Sequence, residues 1–222
     1  MDIKYTFRDL IVYLLTGFTS MVLFFIARPE HLKLMYDSVL IKYLMDNQFL
    51  FILVLIPILY IIGHIIQIFD LIISFDIAQK LERYKWETPY NSSRNIFIKI
   101  IQGIYALCAS STTEYQYKKR GIAHRDFNSM KYQLIVTNKY NTAEYYYLLK
   151  ELFNGLRVFT LLFLLYMLFD YLWLENCTCY TVVIIYIVLF FLFWTKAYNS
   201  AKNFSYEVTK VYDANNQKDE EL

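Results

Sequence analysis

Apolar residues gather into four long runs along the chain, and most charged residues lie between them. The runs are Asp9 to Ala27 (DLIVYLLTGFTSMVLFFIA), Phe49 to Phe69 (FLFILVLIPILYIIGHIIQIF), Leu156 to Leu174 (LRVFTLLFLLYMLFDYLWL) and Tyr180 to Thr195 (YTVVIIYIVLFFLFWT). A helix needs roughly 20 residues to cross a hydrocarbon core, with about 17 to 25 tolerated. Each run therefore predicts a transmembrane helix. The first follows Lys4 and Arg8 but is too long for a signal-peptide core, and no small-x-small cleavage site precedes Arg28, so it reads as a retained anchor. The fourth is short, yet Tyr180 and Trp194 stand at its ends, where aromatic rings favour the interface. The predicted fold class is all-α and integral to the membrane, with four transmembrane helices and a helical cytoplasmic insert between the second and third.

The connecting stretches carry patterns of their own. Between the first two runs, Leu32, Met35, Tyr36, Val39, Leu40, Tyr43 and Leu44 recur at helical spacing opposite Lys33, Asp37, Lys42 and Asp46. That pattern predicts an amphipathic helix over 31–47, lying in the outer interface or covering the bundle. In the insert, 88–93 (TPYNSS) reads as a turn, with Ser93 capping a helix that begins at Arg94. Ser110 to Thr113 breaks that helix and caps another over 113–136, and 138–141 reads as a further turn. The implied division is 1–75 for the first helix pair with its outer helix, 76–154 for the basic insert, 155–197 for the second pair and 198–222 for a cytoplasmic tail. The last residues, 215–222, are too polar to predict packing.

Composition agrees with this picture. The chain is 57% hydrophobic and only 19% charged, where a soluble domain is closer to a quarter charged. The distribution of basic residues then orients it. Twelve lie between Asp70 and Gly155, none in 175–179, three between the first two runs, two before the first and four in the tail. The positive-inside rule places both termini and the insert in the cytoplasm and the 28–48 and 175–179 loops outside.

Few constellations that support catalysis are present. His31, His64 and His124 fall on the outer side, within and on the inner side of the predicted membrane, so no two share a metal or a proton. Neither HExxH nor GxSxG occurs, and the five glycines build no phosphate loop. Asp70 and Asp170 lie at opposite faces of the bilayer and cannot act as a protease dyad. The chain reads as a non-enzyme with no cofactor and no metal site. Cys177 and Cys179 form a CxC in the outer loop, open to pairing with each other, to pairing across subunits or to staying unpaired, while Cys108 is cytoplasmic.

The strongest chemical signal is in the second run. Tyr60, Gly63, His64, Gln67, Asp70 and Ser74 recur every three or four residues and share one helical face amid isoleucine, leucine and phenylalanine. Polar groups facing lipid are costly, so this face must meet protein or water. One reading is helix packing, with Gly63 permitting close approach and His64 and Gln67 bonding to Thr16, Thr19 and Ser20. The other is a water-filled pathway lined by Tyr60, His64, Gln67, Asp70 and Ser74. A four-helix bundle fills its own middle, so a pathway requires several chains, and a homotetramer is the expectation.

The architecture across about 200 residues, together with the YIIGHIIQ segment (Tyr60 to Gln67), resembles the small four-span membrane effectors of bacterial anti-phage systems. Channel-forming effectors of Hailong-type systems come first and the membrane component of Kiwa-type systems second. The resemblance implies an oligomeric channel in the bacterial inner membrane, opened by a nucleotide messenger or a partner protein, that depolarises the infected cell. Separately, Arg94, Lys118, Lys119, Arg120, His124 and Arg125 concentrate positive charge in the insert. Three uses compete there: contact with anionic headgroups, an anionic or nucleotide ligand, and a cytoplasmic partner protein. A nucleic acid polymer is not expected. The functional expectation is a channel gated from the cytoplasm; the alternative is a membrane-anchored sensor or scaffold that recruits a partner.

Overall fold

The computed structural model describes residues 3–72, 110–137, 139–173 and 180–220. The described residues form helices and short connections, with no strand among them. In chain order the helices are α1 (Ile3–Ala27), α2 (Pro29–Asp37), α3 (Val39–Asp46), α4 (Gln48–Leu71), α5 (Thr113–Lys118), α6 (His124–Val136), α7 (Asn141–Trp173) and α8 (Tyr180–Glu220). Four of them, α1, α4, α7 and α8, are long and apolar enough to cross a membrane. Length and composition thus make this a multi-pass membrane protein. The expected turn at 88–93, the helix from Arg94 and the CxC loop lie outside the described residues.

Local chemistry explains where the helices stop. Pro29 opens α2, where its missing N–H costs nothing. Ser38 takes an extended conformation and divides the single amphipathic helix expected over 31–47 into α2 and α3. Pro57 sits inside α4 without interrupting it. The helix expected over 113–136 is likewise two, because Gly121 adopts a left-handed φ of 75° between α5 and α6. The Tyr117 carbonyl accepts from the N–H groups of Arg120 (3.0 Å) and Ile122 (3.1 Å), which closes the end of α5. At its start, the Thr112 hydroxyl accepts from the Tyr115 N–H at 3.3 Å, the predicted cap.

The chain forms two compact units. The first comprises Met1–Phe69 and Gly155–Phe193. Its buried positions recur at helical spacing: Val12, Thr16 and Ser20 on α1, Leu59, Gly63 and Ile66 on α4, and Leu156, Thr160, Phe163, Met167 and Asp170 on α7. Phe163 packs on Tyr186 of α8 with ring centroids 4.5 Å apart. Its outward faces carry Ile52, Leu53, Ile61, Ile65, Leu165, Leu168, Ile184 and Val188. So continuous an apolar surface is foreign to a protein in water and natural for one in lipid.

The second unit comprises Asp70–Asn154 and Trp194–Leu222. Its core joins Tyr117, Phe127 and Leu134 to Tyr140 just before α7, to Ala143 on α7 and to Phe204 and Val208 on α8. On α8, Ala197, Ala201, Phe204 and Val208 are buried at steps of four, three and four, a single stripe facing the insert helices. Phe204 and Val208, within 198–222, thus belong to this core.

Candidate functional site

The polar row of α4 is best understood from the helix it crosses. A Cβ built on Gly63 would lie 1.9 Å from the carbonyl oxygen of Tyr13, and one on Gly17 would lie 1.9 Å from that of Leu59. Neither residue tolerates a side chain, so α1 and α4 touch backbone to backbone. Small residues at such crossings substitute for the hydrophobic drive that a bilayer does not supply. Gln67 is buried one turn further along. A Cβ on Gly155 of α7 would meet its Nε2 at 2.6 Å and the Thr16 methyl at 2.9 Å, so α1, α4 and α7 converge there.

The structure thus divides the row. Gly63 and Gln67 face the helices of their own chain. Asp70 is also buried, and Ser74 lies outside the described residues. Tyr60 is half-buried and His64 exposed, flanked by exposed Ile61, Ile65 and Ile68. The imidazole contacts two rings, the edge of Tyr13 at 5.0 Å and the parallel face of Tyr60 at 6.0 Å. Tyr13 and Tyr60 meet edge to face at 5.6 Å. Thr16 and Ser20, expected as hydrogen-bond partners of this row, are buried beside it, but their hydroxyl oxygens have no hydrogen-bond partner. Their role at the crossing is to be small.

Two further polar centres occupy the first unit. Arg157, fully buried in α7, lies one turn from Thr160, whose hydroxyl donates to its carbonyl at 2.7 Å. A guanidinium enclosed this way is costly unless its donors are satisfied. At the other end of the span, Arg28 forms an ion pair with Asp170, a residue only 2% exposed. Glu30 approaches Arg28 at 3.5 Å, and the guanidinium sits 5.6 Å from the centre of the Tyr166 ring. Nearby, the Tyr186 hydroxyl donates to the Leu23 carbonyl at 2.6 Å. These contacts fasten the start of the α2–α3 segment to α7. In the sequence Arg28 counts only as a topology signal and Arg157 has no assigned role, although a charge inside an apolar run, as Arg157 is, itself marks a buried partner.

In the second unit the basic candidates are largely engaged within the chain. Lys118 pairs with Glu114 at 2.8 Å across one helical turn. Arg120 donates to the Thr209 hydroxyl at 3.3 Å and lies over the Tyr206 ring at 5.4 Å. His124 has both ring nitrogens in contact, Nδ1 with the Tyr117 hydroxyl and Nε2 with the Asn128 amide at 2.9 Å. Lys119 and Arg125 are exposed, and Arg94 lies outside the described residues.

Lys131 and Lys150, not singled out from sequence, share the ring of Tyr147 at 5.3 and 4.8 Å. Burial and the charge of Lys150 push the Lys131 ammonium below its usual pKa. Burial and the neighbouring Glu114 push the Tyr117 hydroxyl up to about 12, so it stays protonated. Lys150 also pairs with Glu151 at 2.6 Å and donates to Thr113 at 3.3 Å. This arrangement can hold a negative charge or a ring system, but its cations already have aromatic and carboxylate partners. Comparison of the chain with protein-family models, with curated proteins and with solved structures finds no match.

Proposed function

We propose that the protein is a homo-oligomeric membrane channel, gated from the cytoplasm through its second unit. The observation that carries this reading is His64, an imidazole exposed on a helix whose other outward residues from Phe49 to Leu71 are apolar. An imidazole against hydrocarbon is unfavourable, so a neighbouring chain or water must cover it. Repeating the Tyr13–Tyr60–His64 cluster around a symmetry axis covers it with copies of itself and leaves a polar path between them. Gly63 and Gln67 then serve the path indirectly, by fixing α4 against α1 and α7. We take the assembly to be a tetramer in the bacterial inner membrane with cytoplasmic termini. The trigger is a nucleotide messenger or partner protein, as the likeness to Hailong-type effectors implies.

The test is His64→Leu. Leucine is favourable at membrane depth, so folding and assembly should survive, while an apolar ring at a constriction resists wetting and should suppress conductance in planar bilayers. Normal assembly with unchanged single-channel conductance would remove the reading. A scaffold reading is favoured by the exposed Lys119 and Arg125 on the second unit. It predicts instead that His64→Leu is silent and that Arg125→Glu abolishes recruitment of an acidic partner.

A further inference from the structure

An apolar groove runs down the first unit between α1, α3, α4 and α7, with a volume of about 490 Å³. Its lining includes Phe24 of α1, Met35 of α2, Leu44 of α3, Phe51 and Ile58 of α4 and Phe159 of α7. No polar surface reaches it. The size falls within the usual range for ligand sites, roughly 300–1,000 Å³, but such sites ordinarily present a few polar groups for orientation. Ser20 is the polar residue of the lining, and its hydroxyl is buried and presents no surface to a hydrogen-bonding ligand.

We propose that this groove holds one acyl chain of a membrane lipid, drawn from the leaflet on the side of α2 and α3. Three features select that occupant. The first is length. The α4 residues on the wall run from Phe51 to Ile62, eleven steps of 1.5 Å, or about 16 Å. That is half of a hydrocarbon core about 30 Å thick. The second is width. A helix of this length, with a diameter of roughly 10–12 Å, needs on the order of 1,500 Å³ and does not fit. A single flexible hydrocarbon chain is narrower. The third is position. The walls belong to three helices long and apolar enough to span a bilayer, so the molecules beside the opening are lipids. Methionine and phenylalanine suit a lining that must follow a flexible guest. The acyl chain completes the packing of the α2–α3 segment onto the spans, which α2 otherwise reaches through Arg28 and its neighbours.

Photocrosslinking tests the assignment. The full chain is reconstituted in vesicles of phosphatidylethanolamine and phosphatidylglycerol containing a trace of phospholipid with a mid-chain diazirine. Crosslinked residues are then mapped by mass spectrometry. Label should concentrate on Phe51, Leu55 and Ile58 above the lipid-exposed Ile184, Val188 and Leu192 of α8. It should vanish from the groove in Ile58→Trp, which fills the cavity, while the α8 label stays unchanged. Leu44→Trp fills the groove from α3 and gives the same loss should the α4 variant fail to fold. Even labelling of groove and α8 would reduce the contact to ordinary boundary lipid and overturn the proposal. So would label that persists in both variants, or a groove free of label and crosslinked to a second copy. None of these readouts depends on conductance, so they stand apart from the channel reading.

Discussion

Where α1 meets α4 the contact is made by missing side chains, and where α8 packs into the second unit it is made by the largest ones. Gly17 and Gly63 let two backbones touch, while Phe204 is enclosed by Phe127, Tyr140 and Tyr147 with ring centroids 5.5 to 6.2 Å away. The difference follows from the solvent each contact must displace. Lipid tails are as apolar as a leucine, so burying one more aliphatic group between spans gains little, and close approach and buried polar pairs hold the helices instead. Against water, the placement proposed for the second unit, burial of aromatic rings removes about 150–250 Å² each and suffices by itself. The polar residues agree. The first unit encloses an arginine and an arginine–aspartate pair among apolar neighbours, and the second spreads its cations over tyrosine rings.

The strongest way to break this contrast is at Asp170. Replacing it with leucine leaves Arg28 enclosed without its carboxylate, and the cost should be about 3–5 kcal/mol. Adding Arg28→Met to Asp170→Leu should recover most of that loss, because the penalty lies in the unpaired charge rather than in the missing bond. Thermal unfolding in detergent micelles measures both. A double variant no more stable than the single one would show that the pair is incidental to the bundle.

A smaller effect separates the glycines. Gly63→Ala forces a methyl group into the Tyr13 backbone and should cost about 1–3 kcal/mol, the usual range for overpacking. Gly155→Ala should cost less, since the group it meets is the far end of Gln67, which can swing aside. The comparison is sharpened by chemical unfolding of the two variants side by side. If Gly155→Ala were the worse of the two, the α1–α4 crossing would not be the tightest contact in the unit.

Much of the helical plan could be read from sequence because each span is one unbroken apolar run whose length matches a bilayer. The breaks at Ser38 and Gly121 were not read. A serine fits within an amphipathic pattern, and one glycine in 113–136 is tolerated by a helix unless its backbone turns left-handed. The row from Tyr60 to Asp70 was legible as a face, since spacing fixes which residues share a side. Spacing does not reveal which neighbour that side meets. The split between enclosed Gln67 and exposed His64 depends on Gly17 and Gly155, residues 50 and 88 positions away from Gln67. The packing of Phe204 and Val208 was hidden for a different reason. Their stripe, spaced by four and three from Ala197, lies among charged residues that made 198–222 look like a tail.

The smallest expected effect concerns the second unit alone and reads its aromatic–cation contacts through pH. The Tyr117 hydroxyl is pushed from its ordinary 10.0 to about 12 by burial and by Glu114. Between those values the unfolded chain has lost the proton while the folded one keeps it, so stability must fall as pH rises through this window. Lys131 has the opposite sign. Its folded pKa is lowered from 10.5, so below that value the unfolded chain holds the proton more tightly and stability rises with pH. Melting of the second unit, followed by near-ultraviolet circular dichroism across alkaline pH, should separate the two. Tyr117→Phe should flatten the decline above pH 10, and Lys131→Met should flatten the rise below pH 10.5, with the first unit's transition unmoved by either. A Tyr117→Phe profile that still declines as steeply as the parent's would mean the hydroxyl is not enclosed between Phe127 and His124. The second unit would then owe its stability to ring packing without the polar contact.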